Sequence, residues 1–197
     1  MEAKTRILKA GAQIVIQKGF NDAGLQEILE AAEIPKGSFY YYFKSKEDFG
    51  LHLIDYFADY LKARADEFYG DQSRPHLERV RRLFAWQAES FQRNEFKGGC
   101  PIGNLALEMA DRNSRFRLKL DQVFEDMKIR LAAQLRQALE SGEISRTLDV
   151  EEAAVFVLSS WEGALMQMKV AKSVAPHQVF DRMIFGRLLA RGEAGPA

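Results

Sequence analysis

The sequence has little of what marks a secreted or membrane-spanning protein. Its 197 residues include one cysteine, which excludes an internal disulfide and fits a reducing compartment. It contains no run of roughly eighteen apolar residues, which excludes a membrane-spanning helix and predicts a soluble protein. The first residues are polar and helical in pattern, unlike a secretory leader, so we expect a cytoplasmic protein with no membrane partner.

An excess of charge of one sign is also missing. Lys and Arg together number 28, as do Asp and Glu, and residues 1–48 hold seven of each class. Because sequence-independent affinity for nucleic acid grows with the number of phosphates neutralised, this composition alone does not indicate a nucleic-acid-binding protein. Any such function must come from a few local contacts.

The usual motifs of catalysis and cofactor binding are absent as well. The three histidines, His52, His76 and His177, lie on separate segments, and no two of them have metal-ligand spacing. The chain has no Gly-rich phosphate loop and no Gly-x-Ser-x-Gly elbow. We therefore expect that the protein is not an enzyme and that it binds no metal or cofactor.

The hydrophobic pattern predicts an all-α protein. Only five prolines are present, no segment alternates like a strand, and apolar residues recur at helical spacing between Gly, Ser and Pro breaks. We expect about nine helices. They run over Thr5–Lys18, from near Gly24, from Pro35, and over Lys46–Tyr69, His76–Asn94, Pro101–Asp111, Arg115–Ser141, Asp149–Lys172 and Phe180–Arg191.

The most informative positive feature is an unbroken row of five aromatics, Phe39 to Phe43. At about 100° per residue, Phe39 and Phe43 share one face of a helix and anchor it, while Tyr41 lies roughly opposite. Exposed phenols beside Lys36 suit phosphate oxygens and base edges. With two preceding helices and a turn at Glu33, this pattern predicts a helix-turn-helix DNA-binding domain over residues 1–48.

The residues from Gly19-Phe20 through Lys36-Gly37-Ser38-Phe39-Tyr40 to Phe43-Lys44-Ser45-Lys46-Glu47 resemble the N-terminal signature of the tetracycline-repressor (TetR) family. The resemblance implies a homodimeric transcriptional repressor that binds a palindromic double-stranded operator and is released by a small effector. It also implies a helical ligand-binding and dimerisation domain, here residues 49–192, and we expect a flexible tail at 193–197. One departure is Ala23-Gly24, where the family often has Ser or Thr; a Gly24 amide at a helix N-terminus can contact a phosphate instead.

The resemblance also assigns DNA-binding roles by position. Lys36 and Gly37 match positions that reach base edges, and the missing side chain of Gly37 permits close approach. Tyr41 faces away from the core, towards a base methyl or a phosphate. The candidate phosphate-contacting positions are Ser38, Tyr40, Tyr42 and Lys46. Gln26, on the second helix, is a weaker candidate. For Tyr40 and Tyr42, partial packing in the core is the alternative role.

Cys100 is the candidate sensor because it directly precedes a helix opened by Pro101. A thiol at a helix N-terminus feels the partial positive charge of unpaired amides, which favours the reactive thiolate. The N-terminal signature is similar to that of a subgroup that includes the repressor of N-ethylmaleimide reductase. That similarity implies sensing of electrophiles or oxidants at Cys100, with Lys169 stabilising the thiolate. Noncovalent ligand sensing and a purely structural Cys100 remain alternatives.

A noncovalent pocket would lie inside the helical body, with apolar walls and a few polar groups. Asn104 and Glu162 are its candidate polar residues, and the other candidate lining residues are Trp86, Phe124, Trp161 and Met166. From Ala153 to Met168 the only charge is Glu162, so this helix must be buried on every side. We therefore predict a dimer interface formed by the last two long helices, with Trp161, Leu165, Met183, Ile184 and Leu188.

Two other classes of protein remain as alternatives to a DNA-binding regulator. One is a helical protein-interaction adaptor that does not bind DNA, and the other is a cysteine-dependent enzyme that pairs Cys100 with a distant histidine. The adaptor leaves the outward Tyr/Lys helix unexplained. Specific, salt-sensitive retardation of a DNA fragment distinguishes a regulator from both alternatives.

Overall fold

The computed structural model describes residues 2–191, and all regular structure in that range is helical. This confirms the all-α prediction; the predicted tail at 193–197 lies outside the described residues. No helix of the described part is long and apolar enough to cross a bilayer. The helices are α1 Ala3–Lys18, α2 Leu25–Ala31, α3 Phe39–Tyr42, α4 Lys46–Tyr69, α5 His76–Arg93, α6 Pro101–Met109, α7 Ser114–Glu140, α8 Val150–Ala171 and α9 Ala175–Met183.

The third and the last predicted helices differ from expectation. The segment after Pro35 forms a 3-10 turn, Lys36–Ser38, before the single turn of α3, and Pro35 precedes the helix rather than beginning it. The last helix begins at Ala175 instead of Phe180, because Pro176 occupies its first turn, where a missing N–H costs no hydrogen bond. It continues beyond α9 as a π turn, Ile184–Leu188.

The described residues divide into two compact units. Unit 1 contains the chain up to Leu61 together with Cys100–Val123, and unit 2 contains Lys62–Gly99 together with the chain from Phe124 onward. The division falls within α4 and α7. The predicted functional boundary after residue 48 also falls within α4, and it stays a prediction.

The core of unit 1 is built from phenylalanine rings packed against glycines. A Cβ on Gly11 of α1 would lie 2.4 Å from the ring of Phe49 in α4. A Cβ on Gly50 would lie 2.4 Å from the Phe116 ring and 2.6 Å from the Phe20 ring. The Phe20 and Phe116 centroids are 5.0 Å apart. These contacts fix the start of α4 beside α1, the loop after α1 and the first turn of α7.

Unit 2 has its own aromatic core and well-capped helices. The ring centroid of Trp161 in α8 lies 5.1 Å from that of Phe84 in α5 and 5.2 Å from that of Phe180 in α9. Asp149 caps α8 by accepting hydrogen bonds from the first backbone amides of that helix. Glu143 accepts from the backbone N–H of His76 at 3.0 Å and of Leu77 at 2.8 Å, which satisfies free amides at the start of α5.

Candidate functional site

Two phenylalanines anchor the tyrosine-rich element. Phe39 and Phe43 are each 1% exposed, and their ring centroids lie 5.3 Å apart. Both rings contact Phe49 of α4, with centroid distances of 6.0 Å and 5.2 Å. The expected inward face is confirmed. Because α3 is a single turn, these ring contacts hold it in place more than its own hydrogen bonds do.

The other side of this element is exposed. Tyr41 is 84% exposed and Tyr40 is 68% exposed, whereas Tyr42 is half-buried with its ring edge-on to Tyr41 at 4.9 Å. Lys36 and Gly37 of the 3-10 turn are exposed as well. We call Lys36, Gly37, Tyr40 and Tyr41 the reading face, because they combine an ammonium group, two phenols and a bare backbone segment.

Three other predicted DNA-binding residues are either hydrogen-bonded within the chain or half-buried. Gln26 is exposed on α2, but its amide donates to Glu30 Oε1 at 2.9 Å. Ser38 is half-buried at the end of the 3-10 turn. Lys46 is half-buried and its ammonium donates to the Asn21 carbonyl at 2.8 Å. The structure therefore separates these residues from the freely exposed reading face.

A carboxylate from α6 holds the loop between α1 and α2. Glu108 accepts hydrogen bonds from the backbone N–H of Phe20 at 2.8 Å and of Asn21 at 2.6 Å. Burial lowers the pKa of Lys46, which binds the same loop, against the opposing effect of Glu108 and Asp22. Sequence reasoning missed Glu108, because no local pattern indicates that it reaches an amide 88 positions away.

Charge pairing leaves the lysines around the reading face unneutralised. Among the described residues, neither the Lys36 nor the Lys44 ammonium has an acidic partner, and both side chains are exposed. Lys44 was missing from the predicted set, although it directly follows the aromatic row. Three nearby acidic residues are paired elsewhere: Glu27 with Lys18 at 2.5 Å, Glu33 with Arg6 at 3.2 Å, and Glu47 with Arg115 at 2.9 Å. The Lys36 and Lys44 ammonium groups are therefore available to phosphate oxygens, and the Asp48 carboxylate accepts from the Lys44 backbone N–H at 2.9 Å.

Cys100 lies at the N-terminal cap of α6, as its position before Pro101 predicted. Its side chain is half-buried, and its sulfur accepts a hydrogen bond from the Gly103 backbone N–H at 3.4 Å. Arg93 and Lys97, two cationic residues shortly before Cys100 in the sequence, each pair with a glutamate, at residues 89 and 95. The cysteine therefore closes the first turn of α6 in place of the usual Ser, Thr or Asp.

The other candidate sensor residues are divided between the two units. Asn104 is half-buried on α6 in unit 1, and Phe124 and Glu162 are half-buried in unit 2. Trp161 is 2% exposed within the aromatic core of unit 2. Trp86 belongs to a different ring cluster and lies 5.8 Å from the Phe68 ring centroid. Assignment of these residues to a sensor stays a prediction.

Two candidate sensor residues of α8 face outward. Met166 is 57% exposed, so its prediction as a lining residue of an interior pocket is corrected. Its position three residues before Lys169, which is exposed too, places both on the outer part of the helix. The all-round apolar composition of α8 concealed which of its faces is covered by the chain itself.

The predicted dimer residues fall into two groups. Trp161, Leu165 and Ile184 are 2%, 7% and 2% exposed, so they pack inside the chain's own core. Met183 is 48% exposed and Leu188 is half-buried. The exposed large apolar residues of α8 and α9, of which Met183 alone belongs to the predicted set, are called the α8/α9 apolar face: Val155, Phe156, Met166, Val170, Val179 and Met183.

Comparison with known proteins supports a regulatory role. Residues 7–52 match the family model described as bacterial regulatory proteins, tetR family, and residues 76–184 match that of the tetracyclin repressor-like C-terminal domain. Transcriptional regulator AcuR of Cereibacter sphaeroides is 37% identical over 94% of this chain and 84% of its own length. HTH-type transcriptional repressor NemR of Escherichia coli is 30% identical over 89% of this chain and 88% of its own.

Solved structures agree with these matches. The regulatory protein TetR from Rhodobacter sphaeroides superposes with a TM-score of 0.88 at 35% identity, covering 93% of this chain and 97% of that one. The reduced form of E. coli NemR superposes with a TM-score of 0.82 at 27% identity, covering 91% and 94%. The similarity therefore extends over both compact units rather than over the N-terminal helices alone.

Proposed function

Because the chain belongs to the TetR family of bacterial regulatory proteins and is a DNA-binding transcriptional regulator, we propose a reading surface and a release mechanism for it. The reading face of Lys36, Gly37, Tyr40 and Tyr41 enters the major groove of a palindromic operator. The protein acts as a homodimeric repressor. Modification of Cys100 by an electrophile releases it from DNA.

One observation carries the proposal for the reading face. The fold buries Phe39 and Phe43 almost completely and leaves Tyr41 84% exposed between them. An exposed phenol of this kind contributes little to folding, but it can contact a thymine methyl or donate to a phosphate oxygen. The ammonium groups of Lys36 and Lys44, which form no ion pair with the described residues, attract phosphates locally, although the net charge of residues 1–48 is zero.

The test is a pair of double variants compared by electrophoretic mobility shift on the protein's own promoter region. Replacing Lys36 and Tyr41 with alanine should weaken operator binding at least tenfold, which corresponds to about 1.4 kcal/mol. Replacing Lys62 and Tyr60 with alanine, the same residue types at exposed positions of α4, is the matched control. Equal affinities of the two folded variants would show that the reading face is misassigned.

The α8/α9 apolar face is the proposed dimer surface. Val155, Met166 and Val170 recur at spacings that put them on one side of α8, and Val179 and Met183 lie one turn apart on α9. Exposed apolar side chains grouped in this way mark interaction surfaces. A second copy fits because a two-fold contact uses the same patch on both subunits, and a palindromic operator requires two reading faces about one DNA turn, roughly 34 Å, apart.

Cys100 and Glu108 lie at opposite ends of α6, and this supports the proposed release mechanism. The Cys100 sulfur closes the first turn of the helix, and Glu108 holds the amides of Phe20 and Asn21 in the loop before α2. Addition of the thiol to an activated alkene forms a carbon–sulfur bond and moves the thiol proton to the neighbouring carbon. The bulky thioether can no longer cap α6 in the same geometry, so a helix that contacts the DNA-binding domain is disturbed.

Release requires that the protein modified at Cys100 binds DNA less well than the unmodified protein. An effector can shift a conformational equilibrium only by the difference between its affinities for the two conformations. The similarity to NemR, whose reduced form has been crystallised, is consistent with a protein of this kind having redox-distinct states. Noncovalent ligand sensing is the alternative, and it predicts no covalent change at Cys100.

Cys100→Ser is a sharp test because serine is itself a strong helix cap, so α6 should be retained while the thiol is lost. After treatment with a maleimide, the protein with its native Cys100 should show the mass of one adduct by intact-protein mass spectrometry and should lose operator binding. The Cys100→Ser variant should still bind DNA after the same treatment. Cys100 is the only cysteine, so the mass change reports on this residue. Equal release of both proteins would exclude the thiol as the sensor.

A further inference from the structure

A polar surface cavity of about 500 Å³, open to solvent, lies on unit 2. It is bounded by the end of α4, the beginning of α5 and the last turns of α7. Every lining side chain carries a hydrogen-bonding group, and those that matter here belong to Tyr69, His76, Arg79, Gln134, Gln137 and Glu140. Ligand sites of this volume are common, but their walls are usually apolar, so the polar character of this one restricts what it can bind.

Arg79 supplies a buried positive charge to this cavity. It is 5% exposed, and its guanidinium donates from Nε to the Arg74 carbonyl at 2.8 Å and from Nη1 to the Tyr69 carbonyl at 3.1 Å. No carboxylate of the described residues forms an ion pair with it, and Nη2 has no acceptor among them. Charged side chains are rarely buried without a counter-ion, so the site favours an anion.

Two further lining residues have polar atoms that folding leaves unsatisfied. Gln134 Oε1 and His76 Nδ1 are shielded from solvent and have no partner among the described residues. Most buried polar atoms in proteins are hydrogen-bonded, and leaving one unpaired destabilises the fold. Gln134 and His76 both line the cavity, and a side-chain amide can both donate and accept hydrogen bonds. Hydroxyl groups match that dual character.

We propose that this cavity binds a hydroxyl-rich monocarboxylate of the sugar-acid type. Its carboxylate pairs with Arg79, and its hydroxyls bond to Gln134, Gln137 and His76. A dianion fits less well, because Arg79 brings one positive charge while Glu140 brings a negative charge to the same walls. Burial raises the pKa of the Tyr69 hydroxyl, which keeps it protonated as an additional donor.

The proposal is independent of the reading face and of Cys100, since the cavity shares no residue with either. The test is isothermal titration of the full-length protein with gluconate as the probe. Sorbitol keeps the hydroxyls without the carboxylate, and hexanoate keeps the carboxylate without the hydroxyls. Gluconate should bind at least tenfold more tightly than either control compound. Absence of gluconate binding at millimolar concentration, or equal binding of all three, would overturn the proposal.

Gln134→Leu locates the binding within the protein. This nearly isosteric change removes an unsatisfied amide, so the melting temperature should be retained or raised, while gluconate affinity should fall about tenfold, or ~1.4 kcal/mol. Gln87→Leu is the matched control, because Gln87 Oε1 is also buried and unpartnered but does not line the cavity. Equal affinities of the two variants would overturn the assignment to this cavity.

Discussion

Four glycines near the N-terminus of the chain have different surroundings. A Cβ on Gly11 or on Gly50 would lie 2.4 Å from a phenylalanine ring atom, and Gly19 has φ of +86° with the Glu108 carboxylate 3.0 Å from its Cβ position. A Cβ on Gly37 would meet nothing within 4 Å. The fold therefore requires glycine at the first three positions, whereas no contact within the described chain requires it at Gly37.

Gly37→Ala should separate stability from DNA binding. We expect the free energy of unfolding to stay the same or to rise by up to about 1 kcal/mol, because alanine restricts the unfolded chain without a clash in the native state. Operator affinity should fall, because the added methyl group holds the 3-10 turn away from the base edges. Denaturant unfolding and fluorescence anisotropy with labelled operator measure the two quantities.

Gly50→Ala provides the contrast for that measurement. Its methyl group would collide with the rings of Phe116 and Phe20, and overpacking of this kind costs about 1–3 kcal/mol of stability. Unaltered operator affinity of Gly37→Ala would contradict the proposal that the backbone at this position approaches DNA.

Helical periodicity in the sequence predicted which side chains of the tyrosine-rich element face the core and which face solvent. The inward positions of Phe39 and Phe43 and the outward position of Tyr41 follow from helical spacing and are confirmed. The contact of Lys46 with the Asn21 carbonyl could not be predicted in this way, because it depends on how α4 meets the loop after α1. Exposure of Tyr41 was therefore predictable from the sequence, and the engagement of Lys46 was not.

Among the helices, α6 is notable because both of its ends are tied by side chains. The Glu108 carboxylate accepts from two backbone amides of the α1–α2 loop. Glu108→Ala would leave the Phe20 and Asn21 amides without this acceptor, at a cost of about 1–3 kcal/mol. We expect faster hydrogen exchange at these two amides and weaker operator binding, because α2 follows the loop directly.

Asp111→Ala is the control for that substitution, since Asp111 is exposed just beyond α6 and forms no ion pair with the described residues. It should leave the exchange of the Phe20 and Asn21 amides unchanged. Comparable acceleration in both variants would mean that the loop is not held by Glu108.

Helix boundaries could be predicted where glycine or proline residues determine them. The bounds of α4 agree with the prediction, since the helix ends at the Gly70 loop and begins after the aromatic row. The start of α9 was missed because Pro176 was not recognised as a first-turn proline. The division of the third helix into a 3-10 turn and an α turn was also missed, because a segment this short is shaped by its packing.

For the whole molecule, the apolar character of α8 was visible in the sequence, but its orientation was not. A helix that is apolar all round gives no periodic signal to distinguish the core side from an outer side. The structure provides that distinction by covering Trp161 and Leu165 and exposing Met166 and Val170. The predicted interface therefore included residues that the chain itself buries, and its location on these helices stays a prediction.

Val170→Glu tests the proposed dimer directly. Val170 is 82% exposed on the α8/α9 apolar face, so a carboxylate there remains solvated in a monomer but would be buried opposite its own copy across a two-fold axis. We expect light scattering to show a shift from dimer to monomer, with the helical circular dichroism spectrum unchanged. Operator affinity should fall with it, because one subunit contacts only one half-site.

Ile129→Glu, an equivalent change at a 52% exposed position of α7, should leave the protein dimeric. A dimer that persists in Val170→Glu with full operator affinity would place the subunit contact on another surface.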